Sequence, residues 1–392
     1  MPESLVRGEE PNPRFSNQQI RYDAWKYEEE KILLQLYLAI KQQNTSIRYL
    51  RTTRTNTSPK IKEAIVNTDI SVTVKDSPIP TPGPGELLIK VIVSGTNPKD
   101  WKVPQWQNEA ANSGDDVAGI VETVGSEVYE FAKGDRVAGF HVMRSPHGSF
   151  AEYAIVPAFS AFHIPKNVSF EEAATVPLAA YTAATALFHS LELPSPWDRA
   201  RARKEPVIIY AGVHPLIAVG SKNSAFVTPL LEKEKGDVFL DYTQFESQDK
   251  LAEKLREVIK ETGQPCFRVF DTVSEKGSFE MLAKAIAGPP EQTTGFKPKV
   301  TTVLPGKDYN AIDKSVEIVL TLVGRVHEEA AEGRLFGLIW ARVFADGLRT
   351  GWMKAHPFEV VEGLQGVERA LKGLQDGSVR TKKMVIRVAE GN

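Results

Sequence analysis

Asp115 and Asp116 are the side chains whose type and spacing most directly permit chemistry, because two adjacent carboxyl groups can act as general acid and general base. Such a division of roles requires surroundings that separate the proton affinities of the two groups. The simpler expectation is structural, with one carboxylate capping a turn and the other facing solvent or an arginine. We expect that arrangement and keep acid–base chemistry as the alternative.

Metal-ligating residues do not occur in the spacing that a metal site requires. Cys266 is the only cysteine, which excludes intrachain disulfides and a cysteine-rich zinc lobe. The histidines, among them His141, His147 and His163, show no regular ligand spacing. A catalytic zinc ion needs three converging protein ligands, so the sequence predicts chemistry without a metal.

The composition excludes several classes of partner. The 392 residues suffice for two domains, and 42% apolar and 25% charged residues are ordinary for a globular protein. A net charge of -2 gives no electrostatic reason to bind nucleic acid or an anionic membrane. No apolar run reaches the roughly 18 residues of a membrane span, and the N-terminus has neither a signal-peptide nor a transit-peptide layout. The single cysteine is compatible with a cytoplasmic protein, and we expect a monomer or a homodimer.

Three apolar, strand-like runs follow one another at residues 207–210, 215–219 and 237–240, and a fourth occupies residues 267–271. This rhythm is typical of the parallel sheet in a nucleotide-binding α/β domain. Parallel neighbours need a crossover of about a dozen residues, usually a helix. Only four residues, 211–214, separate the first two runs, so a crossover is missing from the pattern.

Three explanations of this short link remain open. A segment absent from the translated sequence, such as an omitted exon, would make the working protein longer. A splice form or decayed paralogue would truly lack the helix. Alternatively, the two runs pair in some way other than parallel. In the last two cases one face of the sheet loses its cover, and stability and cofactor affinity should both suffer. We favour the first explanation.

A strand-rich region precedes the α/β region. Strong strand patterns at residues 86–93, 118–124, 136–140 and 150–156, separated by glycine and proline, predict a compact barrel or sandwich. Upstream, residues 25–43 place apolar side chains on one face of a predicted helix, which a linker rich in threonine and arginine follows.

Several motifs in this order resemble the medium-chain dehydrogenase/reductase superfamily: SGTNPKDWK at residues 94–102, GDDVAGIVETVG at 114–125, FAKGDRV at 131–137, GSFAEY at 148–153 and AATVPLAAYTA at 173–183. The resemblance covers roughly residues 60–388. It is closest to the zinc-independent branch, which holds quinone-oxidoreductase-like proteins and the trans-acting enoyl reductases of fungal polyketide pathways.

This resemblance implies an α/β fold class, with a GroES-like β-barrel catalytic domain and an inserted Rossmann-type, doubly wound parallel sheet that is truncated here. We place an extension at residues 1–59, the catalytic domain at 60–180, the nucleotide-binding domain at 181–337 and the return to the catalytic domain at 338–392.

The implied activity is NADPH-dependent reduction of an activated C=C bond in a small enoyl or quinone-type substrate, by hydride transfer without zinc. Zinc-containing members carry a cysteine where this chain has Asn97, and a His–Glu pair at the positions of Asp115 and Asp116. Asn97 and Lys99 are the catalytic candidates, since either can orient the nicotinamide or the substrate oxygen. The alternative is that Asn97 only forms a turn with Pro98 and that Lys99 is solvated.

The choice of NADPH depends on the segment after the second strand. NAD-specific Rossmann domains place an acidic residue there to bind the ribose hydroxyls. This chain has Ser221 and Lys222 instead, and the lysine would attract a 2′-phosphate. Tyr242 matches a tyrosine that lies beside that phosphate in the family. The alternative for Lys222 is a surface lysine in a turn.

The remaining cofactor candidates also follow from the resemblance. Thr182 matches a threonine near the cofactor phosphate and nicotinamide, although a helix-buried threonine is the alternative. Tyr210 and Gly212 stand where the family's glycine-rich turn begins, but Gly212 alone is not a GxGxxG motif. Val273 and Ser274 follow the strand whose end faces the nicotinamide.

A second function stays open because the pyrophosphate-binding turn is incomplete. The chain is then a catalytically silent paralogue or splice form that acts as a binding or scaffold protein and binds no nucleotide.

Overall fold

The structure, a computed structural model, describes residues 59–197, 207–208, 215–288, 297–328 and 330–391. The predicted helix at residues 25–43 and the cofactor candidates Tyr210 and Gly212 lie outside these ranges.

The first part of the described chain is rich in strands. Its strands are β1 (Lys60–Val66), β2 (Val72–Pro78), β3 (Glu86–Gly95), β4 (Asp116–Val124), β5 (Arg136–Phe140), β6 (Tyr153–Pro157) and β7 (Ala161–His163). Its helices are α1 (Pro98–Gln107), α2 (Phe170–Ala174) and α3 (Pro177–Ala184), the last of which continues as a π-helix, Thr185–Ser190.

β3 is the centre of this region because it pairs antiparallel with both β4 and β6. Its sequence, ELLIKVIVSG, is almost continuously apolar, as expected for a strand that neighbours cover on both faces. Only Lys90 in β3 is exposed. The strand ends at Gly95, where a Cβ atom would lie 2.1 Å from the carbonyl oxygen of Ala174. Glycine therefore lets the end of α2 approach the end of β3.

The second part alternates strands and helices. It contains β8 (Val207–Ile208), β9 (Ile217–Gly220), a 3₁₀ segment (Lys222–Leu230), β10 (Val238–Asp241), α4 (Gln248–Glu261), β11 (Arg268–Asp271), α5 (Ser278–Ile286), β12 (Lys299–Thr302) and β13 (Glu317–Leu320). Three of the four strand-like runs are strands whose limits lie within two residues of the predicted ones, and the two described residues of the first run, Val207 and Ile208, also form a strand.

All ladders in this second part are parallel. One joins β10 to β9, and another joins β13, β12, β11 and β8 in that order. β8 and β9 approach within 8 Å between Cα atoms, yet no ladder joins them among the described residues. Their sequence positions give the spatial order 3-2-1-4-5-6 of a doubly wound dinucleotide-binding fold.

Two apolar clusters cover the faces of this sheet. α4 buries Leu251, Leu255 and Val258 at helical spacing, and these side chains belong to one cluster with Val269 of β11. Successive strand residues point to opposite faces. Accordingly Phe270 belongs to a different cluster, formed with the π-helix and the loop after it.

The chain then returns to the first sheet through α6 (Ala331–Thr350), β14 (Phe358–Glu362), α7 (Gly366–Gln375) and β15 (Lys383–Arg387). β15 pairs parallel with β14 and antiparallel with β3, which completes a seven-stranded sheet. Residues Lys383–Arg387 are therefore the strand by which the chain rejoins the first sheet. The domain limits at residues 180 and 337 stay predictions, since α3 and α6 run across them. None of the described helices is long and apolar enough to cross a membrane.

Candidate functional site

Asn97, Asp116 and Lys383 meet because each lies at the boundary of a different element. Asn97 precedes α1, Asp116 begins β4 and Lys383 begins β15. Asn97 Nδ2 donates to Asp116 Oδ2 at 2.8 Å, and Lys383 Nζ donates to Asn97 Oδ1 at 3.1 Å. Lys383 Nζ also donates to Asp116 Oδ2. These contacts form a closed polar triad, called here the Asn97 triad.

The start of α3 completes the surroundings of the Asn97 triad. The backbone N–H of Leu178 donates to Asp116 Oδ1 at 2.6 Å, and the carbonyl of Thr175 accepts from Lys383 Nζ at 3.2 Å. Asp116 is fully buried and Asn97 is 5% exposed. Buried charge of this kind is tolerated only when it is paired and hydrogen-bonded, and here every oxygen of Asp116 has a donor.

The expected arrangement of the two aspartates, with one facing solvent or an arginine, is wrong. Both are buried, at 1% and 0% exposure for Asp115 and Asp116. Asp115 pairs with Lys99, and Asp116 pairs with Lys383. Both lysines come from other elements, and Lys383 lies 267 positions from Asp116 in sequence. Local residue spacing therefore could not predict these ion pairs.

Lys99 is held inside the catalytic region rather than solvated. Its Nζ lies 2.9 Å from Asp100 Oδ1 and also contacts Asp115 Oδ2 and the carbonyl of Ser113. Burial raises the pKa of Asp100 to about 7 and that of Asp115 to about 6, and the ammonium of Lys99 opposes both shifts. Burial lowers the pKa of Lys99, but the two carboxylates outweigh it and raise that pKa above its usual value. These contacts favour a structural role, and the catalytic role of Lys99 stays a prediction.

Lys102 and Glu275 form a further, partly buried contact that was not predicted from the sequence. Lys102 Nζ lies 3.0 Å from Glu275 Oε1, and the Lys102 side chain is only 9% exposed. The pair joins α1 of the catalytic region to the loop after β11. A lysine within a helical pattern normally indicates a solvated face, and its partner here is 173 positions away in sequence. Only the motif SGTNPKDWK, which carries the family resemblance, drew attention to the segment that contains Lys102.

The loop after β11 carries Val273, Ser274 and Glu275 in an ordered turn. Asp271 Oδ1 accepts the backbone N–H groups of Val273 at 2.9 Å and Ser274 at 3.1 Å. Ser274 and Lys276 have left-handed φ angles of 53° and 54°, which are uncommon for residues other than glycine. Val273 is 56% exposed, whereas Ser274 is fully buried. Val273 is therefore accessible to a ligand, and Ser274 mainly stabilises the turn.

The adenosine-side candidates meet at the carboxyl ends of two neighbouring strands. Gly220 of β9 is opposite Asp241 of β10, so Ser221, Lys222 and Tyr242 follow at one edge of the sheet. Lys222 is exposed, and Tyr242 is 51% exposed. A hydrogen bond from the Thr243 side chain holds the pKa of Asp241 below its usual value, and the backbone N–H and charge of Lys222 contribute.

Thr182 has a local partner. Its Oγ1 donates to the carbonyl of Leu178 at 2.8 Å within α3, and the side chain is half-buried. This contact matches the helix-buried alternative, while the cofactor role of Thr182 stays a prediction.

No three His, Cys, Asp or Glu side chains converge as metal ligands within the described residues. In the Asn97 triad the positive charge is the ammonium of Lys383. An exposed lysine and tyrosine at adjacent strand ends fit a phosphorylated dinucleotide, since such ligands bind outside the carboxyl ends of the strands in doubly wound sheets.

Comparison with known proteins shows the family and the fold of this chain. Residues 83–166 match the alcohol dehydrogenase GroES-like domain family. The trans-enoyl reductase fsr4 of Gibberella fujikuroi is 36% identical over 322 residues, which cover 77% of this chain and 91% of that protein.

Solved structures share the fold. An alcohol dehydrogenase superfamily protein from Novosphingobium aromaticivorans has a TM-score of 0.66 at 20% identity, covering 84% of this chain and 100% of that one. A mycobacterial protein solved in complex with NADPH has a TM-score of 0.63 at 21% identity, covering 83% and 99%. The chain belongs to the trans-enoyl reductases of the medium-chain dehydrogenase/reductase superfamily. It is accordingly an oxidoreductase of the reductase type.

Proposed function

We propose that the chain reduces an activated C=C bond of an enoyl or quinone-type compound with NADPH and without a metal ion. The observation that carries the proposal is the register of β9 and β10, which brings the exposed Lys222 and Tyr242 to one edge of the sheet. A cation and a phenol at this edge, with no acidic residue at the end of β9, suit a ribose that carries a 2′-phosphate.

The residues of the chain have separable tasks in this reaction. Ser221, Lys222 and Tyr242 bind the adenosine side, and the exposed Val273 contacts the nicotinamide side. The bound cofactor would supply the hydride to the β carbon, and a proton from solvent would complete the reduction at the α carbon. Asn97 and Lys102 orient the carbonyl oxygen conjugated to the double bond, and their N–H groups stabilise the negative charge that develops there.

The pairing of residues within the Asn97 triad supports chemistry without a metal ion. Asp116 is already paired with the Lys383 ammonium, and Asn97 is a poor metal ligand. Polarisation of the carbonyl then depends on hydrogen bonds, which suffice for conjugated C=C–C=O groups because their β carbon is already electrophilic.

The second candidate function is a catalytically silent binding or scaffold protein. What favours it is the link between β8 and β9, in which eight residues separate Ile208 from Ile217. A doubly wound fold normally places the pyrophosphate at the N-terminus of a helix in this crossover. Without that helix, the chain would keep its fold and bind no dinucleotide.

Titration of the purified protein with NADPH, followed by nucleotide fluorescence, separates the two functions. The reductase predicts saturable binding and oxidation of NADPH by an enoyl thioester. A folded protein that binds no nucleotide would favour the silent alternative.

A further inference from the structure

The neighbours of Asn97 permit only one orientation of its side-chain amide. An ammonium group offers only donors, and an ionised carboxylate offers only acceptors. Asn97 Oδ1 therefore accepts from Lys383, and Asn97 Nδ2 donates to Asp116. The second proton on Nδ2 has no acceptor among the described residues, although the side chain is only 5% exposed. A buried donor of this kind is suited to a ligand that brings an acceptor.

Lys383 itself has no donor left for a ligand. Its ammonium contacts three oxygens, those of Asn97, Asp116 and the Thr175 backbone. Its side chain is only 10% exposed. Lys383 can therefore affect a bound substrate only through the residues it holds.

We propose that Lys383 is a positioning residue that fixes Asn97 as a hydrogen-bond donor toward the substrate and thereby selects substrates with a carbonyl oxygen. This inference rests on the reduction proposed above. Without Lys383, the Asn97 side chain keeps only its bond to Asp116, and the amide can tilt so that the second Nδ2 proton no longer points toward the carbonyl oxygen. Fixing the donor in advance means that no reorganisation is needed when charge develops on that oxygen.

The test compares Lys383→Ala with Lys382→Ala, because the neighbouring Lys382 is 42% exposed and pairs at the surface with Glu359. The probes are the crotonyl thioester of N-acetylcysteamine and the matching crotyl thioether, which lacks the carbonyl. Calorimetry without cofactor measures both affinities. Lys383→Ala should weaken thioester binding about tenfold, the loss of one hydrogen bond, and leave thioether binding unchanged. Lys382→Ala should change neither.

Chemical rescue distinguishes positioning from a general effect on the fold. Ethylammonium supplied in solution should restore thioester binding to Lys383→Ala, whereas tetramethylammonium, which has no N–H donor, should not. Equal rescue by both cations, or loss of thioether binding to the same degree, would overturn the proposal.

A double-mutant cycle supplies the decisive comparison. Asn97→Ala combined with Lys383→Ala should bind the thioester no more weakly than Asn97→Ala alone, since Lys383 acts through Asn97. Additive losses would contradict this. If Lys383→Ala does not fold, Lys383→Arg takes its place in the cycle, because its guanidinium keeps the charge but cannot reproduce the three contacts.

The wild-type controls separate this proposal from the proposed reduction. If wild-type protein binds NADPH but not the thioester, the role of Lys383 is overturned while cofactor binding stands. If the wild type binds the thioester in a Lys383-dependent way but not NADPH, the proposed reduction fails and the positioning role stands.

Discussion

Lys102 and Glu275 join the first, strand-rich part of the described chain to the second part through one ion pair, with Nζ of Lys102 3.0 Å from Oε1 of Glu275. The lysine is nearly buried, while the carboxylate is 42% exposed. Glu275 sits between Ser274 and Lys276, two residues with left-handed φ angles. Strained backbone of this kind persists where the surroundings hold it, and such positions cluster at functional sites. We infer that the loop holds Glu275 so that the ammonium of Lys102 is fixed in position.

Replacing Lys102 with methionine should lower kcat/KM for an enoyl thioester by about a hundredfold, the usual effect of removing one donor to a developing oxyanion. Glu275→Gln should cost less, because the ammonium remains. Steady-state kinetics check both. The matched control is Lys133→Met, which breaks the ion pair between Lys133 and Glu122. The Lys133 side chain is 71% exposed, and exposed ion pairs contribute little to stability. Unchanged kinetics in Lys102→Met would remove Lys102 from the site.

The buried group of Lys99, Asp100 and Asp115 should make stability depend on pH. Burial raises the folded-state pKa of Asp100 to about 7, and unfolding returns it to about 3.9. Between these pH values the folded state binds more protons than the unfolded state. The contribution of Asp100 to stability is therefore present at low pH and is lost as pH rises toward 7.

Asp100→Asn should remove the contribution of Asp100 to that dependence, while the contribution of Asp115 remains. The amide keeps an acceptor for the backbone N–H of Asn97, which donates to Asp100 at 2.7 Å. The difference in free energy of unfolding, variant minus wild type, should be larger at pH 8 than at pH 5. Urea denaturation at both values measures the difference. A variant that instead loses relative stability as pH rises would show that the sign is wrong.

Lys222→Ala should reduce the preference for NADPH over NADH by about tenfold, since a single charge-assisted contact to the 2′-phosphate is lost. Lys233→Ala is the matched control, because Lys233 is also exposed but lies in the turn that precedes β10, away from the carboxyl ends of the strands. Fluorescence titration with both nucleotides gives the ratio. An equal change in both variants would indicate a nonspecific effect of charge.

The fold was largely predictable because its signals are local. The strands at residues 86–95 and 268–271 are strong apolar runs, and the final strand at Lys383–Arg387 has the same character. The site was less predictable because its contacts are long-range. Asn97 was identified through the resemblance, but its partner Lys383 lies 286 positions away, and nothing in the spacing pairs them. Lys99 and Lys102 lie in one helix but pair with different residues. These partners are specified only by the tertiary structure.

The strands on either side of the short link keep their parallel pairing in the described part of the chain. β8 pairs with β11, and β9 pairs with β10. Leu187 and Leu191 from the π-helix region cluster with Phe270 on one face of the sheet, so that face retains apolar cover.

The most direct measurement is the binding of NADPH to this polypeptide, followed by fluorescence and by protection against heat. The reductase account predicts saturable binding, a rise in Tm with nucleotide concentration as mass action requires, and a weaker rise with NADH. A folded protein with no saturable binding and no NADPH-dependent change in Tm would contradict the account and favour the silent alternative.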